Sequence, residues 1–184
     1  MAEIEKIDKE KELVLSATRG DKDSFGELYD IYAPKIFRFI RIKVKSQAIA
    51  EDLTSESFLR IWEYLQRKQD IQDGFKSLLY TIARNLVIDS YRRKSSQEIS
   101  LDDDFAEFLL QEPAKDEIKS KERAEELHNA IMKLKEEYQN VLILYYIEDV
   151  SVLEIAEIMN KSEGAIRVLI HRALESLKKK LDKM

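Results

Sequence analysis

Gly164, Arg167, Val168 and His171 fall at i, i+3, i+4 and i+7, so a helix through them shows all four on one side, with Arg172 flanking. The opposite side is an apolar stripe of Ile166, Leu169, Ile170, Ala173 and Leu177. A guanidinium in the first turns of such a helix can pair bidentately with a guanine edge, worth ~1–3 kcal/mol of discrimination. The segment ends in "KKKLDK", which suits phosphate oxygens and the negative end of a helix. A surface helix with an ordinary basic tail fits the same pattern. His171 taken singly is more often a solvent-facing histidine than a base reader.

A second segment, "TIARNLVIDSYRRK" at 81–94, has two incompatible sides. Ile82, Leu86 and Val87 want a core. Arg84, Asn85, Arg92, Arg93 and Lys94 want water or a polyanion, and Tyr80 and Tyr91 add aromatic surface beside them. Cations interleaved with aromatics suit a strand whose bases are unstacked, and an asparagine amide can pair with the edge of a flipped base. The alternative is that both tyrosines belong to the core and Asn85 is simply solvated.

Little points to catalysis. His128 and His171 are the two histidines and lie far apart in the chain, with no H-x-x-x-H spacing. Cysteine is absent, which removes disulfides, thiolate metal sites and cysteine nucleophiles. The four glycines are too scattered to form a phosphate-cradling loop. The carboxylates read mostly as solvated helix faces. No catalytic residue, metal ligand or cofactor is therefore expected. "MAEIEKIDKEKELVL" is charged throughout, and the longest apolar run, "VLILYYI", is far short of the ~20 residues of a membrane span. A soluble, cytoplasmic chain without membrane insertion is expected.

The elements that carry these residues read as helices. Of 184 residues 44% are hydrophobic, with four Gly and two Pro, which favours helices over strands and turns. "DSFGELYDIYAPKIFRFIRIKV" spaces Phe25, Leu28, Tyr32, Ile36 and Ile40 helically, with Pro34 expected to kink or divide it. "IAEDLTSESFLRIWEYLQRK" repeats the pattern; "QDIQDGFK" reads as a loop, and a helix follows from about Phe75. These helices can close one small bundle. From Ser95 to about Lys119 the period is lost, and an apolar island of Phe105, Phe108, Leu109 and Leu110 is expected to dock transiently. Beyond it, Ser151 and Glu154 match a capping box, Asn160 ends that helix, and Ser162 is a second N-cap. Two helices joined by a short turn make a helix-turn-helix.

Charge follows the same division. Residues 31–97 carry 13 basic groups against 7 acidic, and 160–184 carry 7 against 3. Between them, 98–126 carries 4 basic against 11 acidic. A net charge of −5 thus hides two basic blocks, and a polyanion feels the local field within a Debye length of ~8–10 Å.

"FKSLLYTIARNLVIDSYRRK", preceded by "AEDLTSESFLRIWEYL" and followed by "VLEIAEIMNKSEGAIRVLIHRALESLK", resembles bacterial RNA polymerase sigma factors of the extracytoplasmic-function (ECF) type in the sigma-70 family. The resemblance implies an all-α protein of two small helical domains. A sigma-2-like bundle at 12–97 would bind core polymerase and read and melt the minus-10 element. A flexible acidic linker would span 98–119. A sigma-4-like helix-turn-helix domain at 120–184 would read the minus-35 duplex. Neither has catalytic residues.

The resemblance also implies roles residue by residue. Asp52, Leu53, Ser55, Glu56, Phe58 and Trp62 match the core-polymerase-binding segment. Asp73, Lys76, Tyr80, Arg84, Asn85, Arg92 and Arg93 match minus-10 positions, with 68–74 as the base-specificity loop. Ser162, Glu163, Gly164, Arg167, Val168, His171 and Arg172 match minus-35 positions. Implied partners are the polymerase clamp helices and flap, promoter DNA and an anti-sigma factor, the free chain being a monomer. The family often has Trp at Leu78, Tyr at Ser90, and Arg at Leu169 and Leu174, so the usual phosphate contacts of the last helix are reduced. Two other functions fit the helices less well: a dimeric free-standing helix-turn-helix regulator, and a helical adaptor without DNA.

Overall fold

The computed structural model describes residues 2–44, 46–67, 74–93, 105, 108 and 117–182. Among them the regular structure is helical throughout. The first block holds α1 (Ala2–Thr18), α2 (Lys22–Val44), α3 (Gln47–Arg67) and α4 (Phe75–Arg93). The second holds α5 (Glu117–Met132), α6 (Glu136–Leu142) with a π-helical turn at Ile143–Ile147, α7 (Val152–Met159) and α8 (Glu163–Leu181).

In the first block α2, α3 and α4 pack around Leu28, Ile36, Phe39, Ile40, Ile61, Leu65, Leu79 and Leu86, all essentially without solvent exposure. At ~25 cal/mol per Å² of apolar surface removed from water, this burial supplies the main drive to fold. Helix α1, which the sequence pattern did not announce, lies on α2 and α3 through Leu13 and Ala17. Its end is fixed by Gln66, whose Nε2 donates to the Ala17 carbonyl at 2.9 Å, and by Gly20 at φ +91°. The expected break at Pro34 does not occur, and α2 runs unbroken from Lys22 to Val44. Pro34 and Asp30 both face solvent, so water can take the carbonyl that the missing proline N–H leaves unpaired.

In the second block α6, α7 and α8 bury Val141, Leu142, Ile143, Leu144, Ile155, Ile158, Ile166 and Ala173. The local chemistry of the expected helix-turn-helix is present in full. Ser151 Oγ accepts from the Glu154 N–H at 3.2 Å while the Glu154 carboxylate accepts from the Ser151 N–H at 3.0 Å. Asn160 takes the left-handed conformation (φ 51°) and closes α7, and Ser162 Oγ accepts from the Ala165 N–H at 3.2 Å to open α8. The π turn was not foreseen. It is marked by Glu148 N–H donating to Ile143 O at 3.0 Å, five residues back, and ends with Asp149 in the left-handed region.

One apolar core runs through both blocks, and α4 packs directly on α7. Of the expected apolar island, Phe105 is buried and Phe108 is half-buried against Phe37 and the Arg41 guanidinium; Leu109 and Leu110 lie outside the described residues.

Candidate nucleic-acid interface

Helix α8 sets its candidate readers on a single open face. The apolar side, led by Ile166 and Ala173, is held from behind by α5, α6 and α7. Ser162, Glu163, Gly164, Arg167, Val168, His171 and Arg172 are all exposed on the other side. Val168, 50% exposed, leaves apolar surface in water, as a thymine-methyl contact requires. The Arg167 Nη2 rests 3.1 Å from the Glu163 carboxylate, one turn back. With 66% of its side chain exposed, that pair is worth a fraction of a kcal/mol, so Arg167 is free to exchange it for a better acceptor. Lys178, Lys179 and Lys180 occupy the last turn, where cations complement the helix dipole.

Helix α4 divides its candidates between two sides. Asn85 and Arg92, seven residues apart, are exposed on the outer face, with Asp89 4.0 Å from Arg92. At about 100° per residue, Lys76 and Tyr80 lie roughly 180° and 140° round the helix from Asn85, and both turn towards the second block. Tyr80 offers no stacking surface: its ring is fully buried edge-on against Phe39, 5.6 Å between centroids. Burial and the neighbouring Glu148 push its phenol above the ordinary range. Tyr91 keeps 43% exposure while its hydroxyl donates to the Lys43 carbonyl. Arg84 is half-buried, and its Nε meets no protein acceptor. Asp73 lies outside the described residues, as does Lys94; Arg93 is placed on the helix, its side chain outside them.

Helix α3 likewise sorts its six. Asp52 and Ser55 are exposed, and Glu56 is half-exposed and bonded to Arg60 at 2.7 Å. Leu59, 54% exposed, joins their face at helical spacing. Leu53 and Phe58 instead belong to the core, and Trp62 is half-buried against Phe25, 4.8 Å between centroids. These three support the face rather than form it.

Where the blocks meet, Lys76 and Tyr80 join residues that the sequence reading did not assign to a site, Arg38, Ser77, Glu148 and Glu157 among them. Glu148, whose side chain is 0% exposed, accepts from Arg38 Nε at 2.7 Å, Arg38 Nη2 at 3.0 Å and the Tyr80 hydroxyl at 3.0 Å. Lys76 Nζ donates to Glu154 at 3.0 Å and the Ser77 hydroxyl to Glu157 at 2.6 Å. Burial raises the Glu154 carboxyl, but its bonds from Ser151 and Lys76 outweigh that and hold it below the ordinary range. Lys43 donates to Asn140, and the buried His128 Nε2 lies 2.8 Å from the Ile42 carbonyl. Charged residues inside apolar runs, as in "IFRFIRIKV" and "LILYYIEDV", were the available signal, since a buried charge needs a partner. Among the described residues no group of three His, Asp or Glu is placed to hold a metal, and no helix is long and apolar enough to cross a membrane.

A helical bundle with a polar outer helix, joined to a helix-turn-helix whose second helix bares Arg167, His171 and Arg172, has the architecture of a DNA-binding protein. Residues 28–97 match the family model for sigma-70 region 2, and 124–177 match that for sigma-70 region 4. The ECF RNA polymerase sigma factor SigW of Bacillus subtilis is 32% identical over 184 residues, covering 93% of this chain and 96% of SigW. The ECF RNA polymerase sigma factor BldN of Streptomyces coelicolor is 35% identical over 170 residues; the match covers 90% of this chain but 63% of BldN. The structure of CnrH in complex with the cytosolic domain of CnrY is 20% identical with a TM-score of 0.74, covering 95% of this chain and 98% of that one, a likeness of fold. The chain belongs to the ECF sigma factors of the sigma-70 family. It is a transcription initiation factor that directs RNA polymerase core to promoters.

Proposed function

We propose that residues 12–97 form the unit that binds core polymerase and reads and melts the minus-10 element, and that 120–184 read the minus-35 duplex, with 98–119 between them. The observation that carries this is the open face of α8, on which Arg167, Val168, His171 and Arg172 stand exposed behind a capped N-terminus. Its first turns would enter the major groove and its lysines would follow the backbone. Asn85 and Arg92 would meet the single strand from the outer side of α4. Asp52, Ser55 and Glu56, with Leu59, would face the polymerase clamp helices, and the second block the flap. The polymerase does the chemistry, so this chain supplies positioning and strand capture and no catalytic group. It acts in the cytoplasm, as a monomer when free, and is restrained by an anti-sigma factor, as the sigma factor RpoE of Bartonella quintana, a chain of like fold, is found in complex with the anti-sigma factor NepR.

Transcription by core enzyme with and without the chain, read by sequencing the 5′ ends of genome-wide transcripts, tests this. Start sites sharing minus-35 and minus-10 elements, and dependent on the chain, are expected. Identical start sites with and without it would refute the assignment.

A further inference from the structure

Helix α8 begins with an acid although its ligand is a polyanion. Glu163 is its first residue, directly after the Ser162 cap, with a side chain 47% exposed. An acid in a first turn complements the helix dipole, and that alone accounts for many such glutamates. Two features set this one apart. Its carboxylate lies 3.1 Å from Arg167 Nη2, so the heads of two residues one turn apart meet at a single point. Gly164 follows it, and a Cβ there would touch nothing in the chain, so packing does not ask for glycine, a poor helix former. A glycine that the fold does not need lets another molecule come close to the backbone. Gly164 shares its side of α8 with the exposed Arg167 and His171. The missing side chain therefore lets Glu163 and Arg167 sit deeper in a groove.

We propose that Glu163 determines specificity in the duplex: its carboxylate accepts from the N4 amino group of a cytosine whose paired guanine is taken by Arg167, so the two side chains read one base pair together. This rests on the reading of α8 as the minus-35 helix. The major groove offers a carboxylate two kinds of donor, adenine N6 and cytosine N4, while guanine and thymine present acceptors that repel it. Adenine N6 lies beside the N7 acceptor of the same base. Cytosine N4 lies beside the guanine O6, and that oxygen is engaged by Arg167. Guanine O6 and cytosine N4 are hydrogen-bonded to each other within the pair, so heads that already stand 3.1 Å apart need little movement to span them. Arg167 gives up a solvent-exposed partner for a bidentate guanine contact. Glu163 is then a bare carboxylate among phosphates, a position stabilised where a cytosine donor answers it. Opposite guanine or thymine the same group repels, so Glu163 selects by exclusion as much as by contact.

The test uses the full chain bound to core polymerase. Holoenzyme made with the natural chain, with Glu163→Ala and with Glu163→Gln selects duplexes from a library of random sequence, and the bound DNA is sequenced. Circular dichroism checks that both variants fold; the site is exposed, and the isosteric glutamine can still accept from Arg167. The natural holoenzyme is expected to enrich a minus-35 element containing a G·C pair of fixed orientation. Glu163→Ala is expected to lower discrimination at that pair about tenfold, with other positions unchanged and Arg167 still favouring guanine. It is also expected to bind duplexes substituted at that pair more tightly than the natural chain does, a gain that a weakened helix cannot produce. Glu163→Gln is expected to admit adenine at the cytosine position, because a carboxamide meets adenine N6 and N7 bidentately. One base profile shared by all three proteins would overturn the role of Glu163 and leave α8 as the minus-35 reader, its first acid serving the helix dipole. A loss spread equally over every position would overturn it as well, since the residue would then hold the helix and read nothing. Failure of the natural holoenzyme to enrich any minus-35 element would remove the reading of α8 itself, and the cytosine contact with it.

Discussion

Lys43 places an ammonium where almost no water reaches it. Its side chain sits on the last turn of α2, 2% exposed, donates to Asn140 of α6, and has Glu136 and Arg84 nearby. Burial pushes its pKa down from 10.5 to about 8; Glu136 works against that shift and Arg84 adds to it. Between about pH 8 and 10.5 the unfolded chain therefore binds a proton that the folded chain has released, so stability rises with pH across that window. At about 1.4 kcal/mol per unit, carrying the charge costs the native state about 3 kcal/mol near neutrality, and about 2 kcal/mol of this is recovered by about pH 9.5. Higher pH is avoided because burial raises the phenols of Tyr32 and Tyr80, so the unfolded tyrosines ionise first and lower stability. Urea unfolding of the natural chain and of Lys43→Met, at about pH 7 and about pH 9.5, isolates the lysine. The natural chain is expected to gain about 2 kcal/mol more than Lys43→Met. Equal pH dependence in the two proteins would show that Lys43 is solvated, and that α2 and α6 do not close over it in solution.

Four further outcomes follow from the same geometry. Asn85→Ala is expected to weaken capture of minus-10 single strand by the holoenzyme, with core affinity unchanged by competition binding. Arg167→Ala is expected to cost ~1–3 kcal/mol of minus-35 discrimination, measured on matched and mismatched promoter duplexes, without loss of opening on a pre-melted minus-10 bubble. Glu56→Arg exchanges a half-exposed attraction to Arg60 for a repulsion of like size, together under about 1 kcal/mol, so lost core binding in pull-down with a melting temperature lowered by at most a few degrees is expected. Ser151→Ala removes the N-cap of α7 and is expected to lower stability by ~1 kcal/mol, seen as a reduced urea midpoint.

What could be read from residues alone was what local chemistry decides. The capping box at Ser151 and Glu154, the left-handed Asn160 and the cap at Ser162 set the bounds of α7 and α8 within a few residues of each other, and all were visible as residue types. The outward face of α8 followed from its period. Legibility failed where tertiary context overrides local preference. Pro34 breaks a helix only if its surroundings cannot hydrate the orphan carbonyl, and solvent at Asp30 does so. Helix α1 is so heavily charged that its narrow apolar contact through Leu13 and Ala17 left no clear stripe. "VLILYYI" is apolar at every step, so no period distinguishes an α turn from a π turn. Tyr80 carries both an apolar ring and a hydroxyl; a buried acceptor from 68 residues away decided which use prevailed. Glu148 itself looked like one more acidic surface residue, because its partner at Arg38 is 110 residues distant.

The wide turn at Ile143–Ile147 acts as a one-residue spacer. Each residue advances a helix by about 100°, so an ordinary turn in its place would send the following carboxylate out on a different side of the rod. Deleting one residue within this stretch would therefore turn the Glu148 carboxylate away from Arg38 and Tyr80 and unfasten the two halves, and a compensating insertion nearby would refasten them.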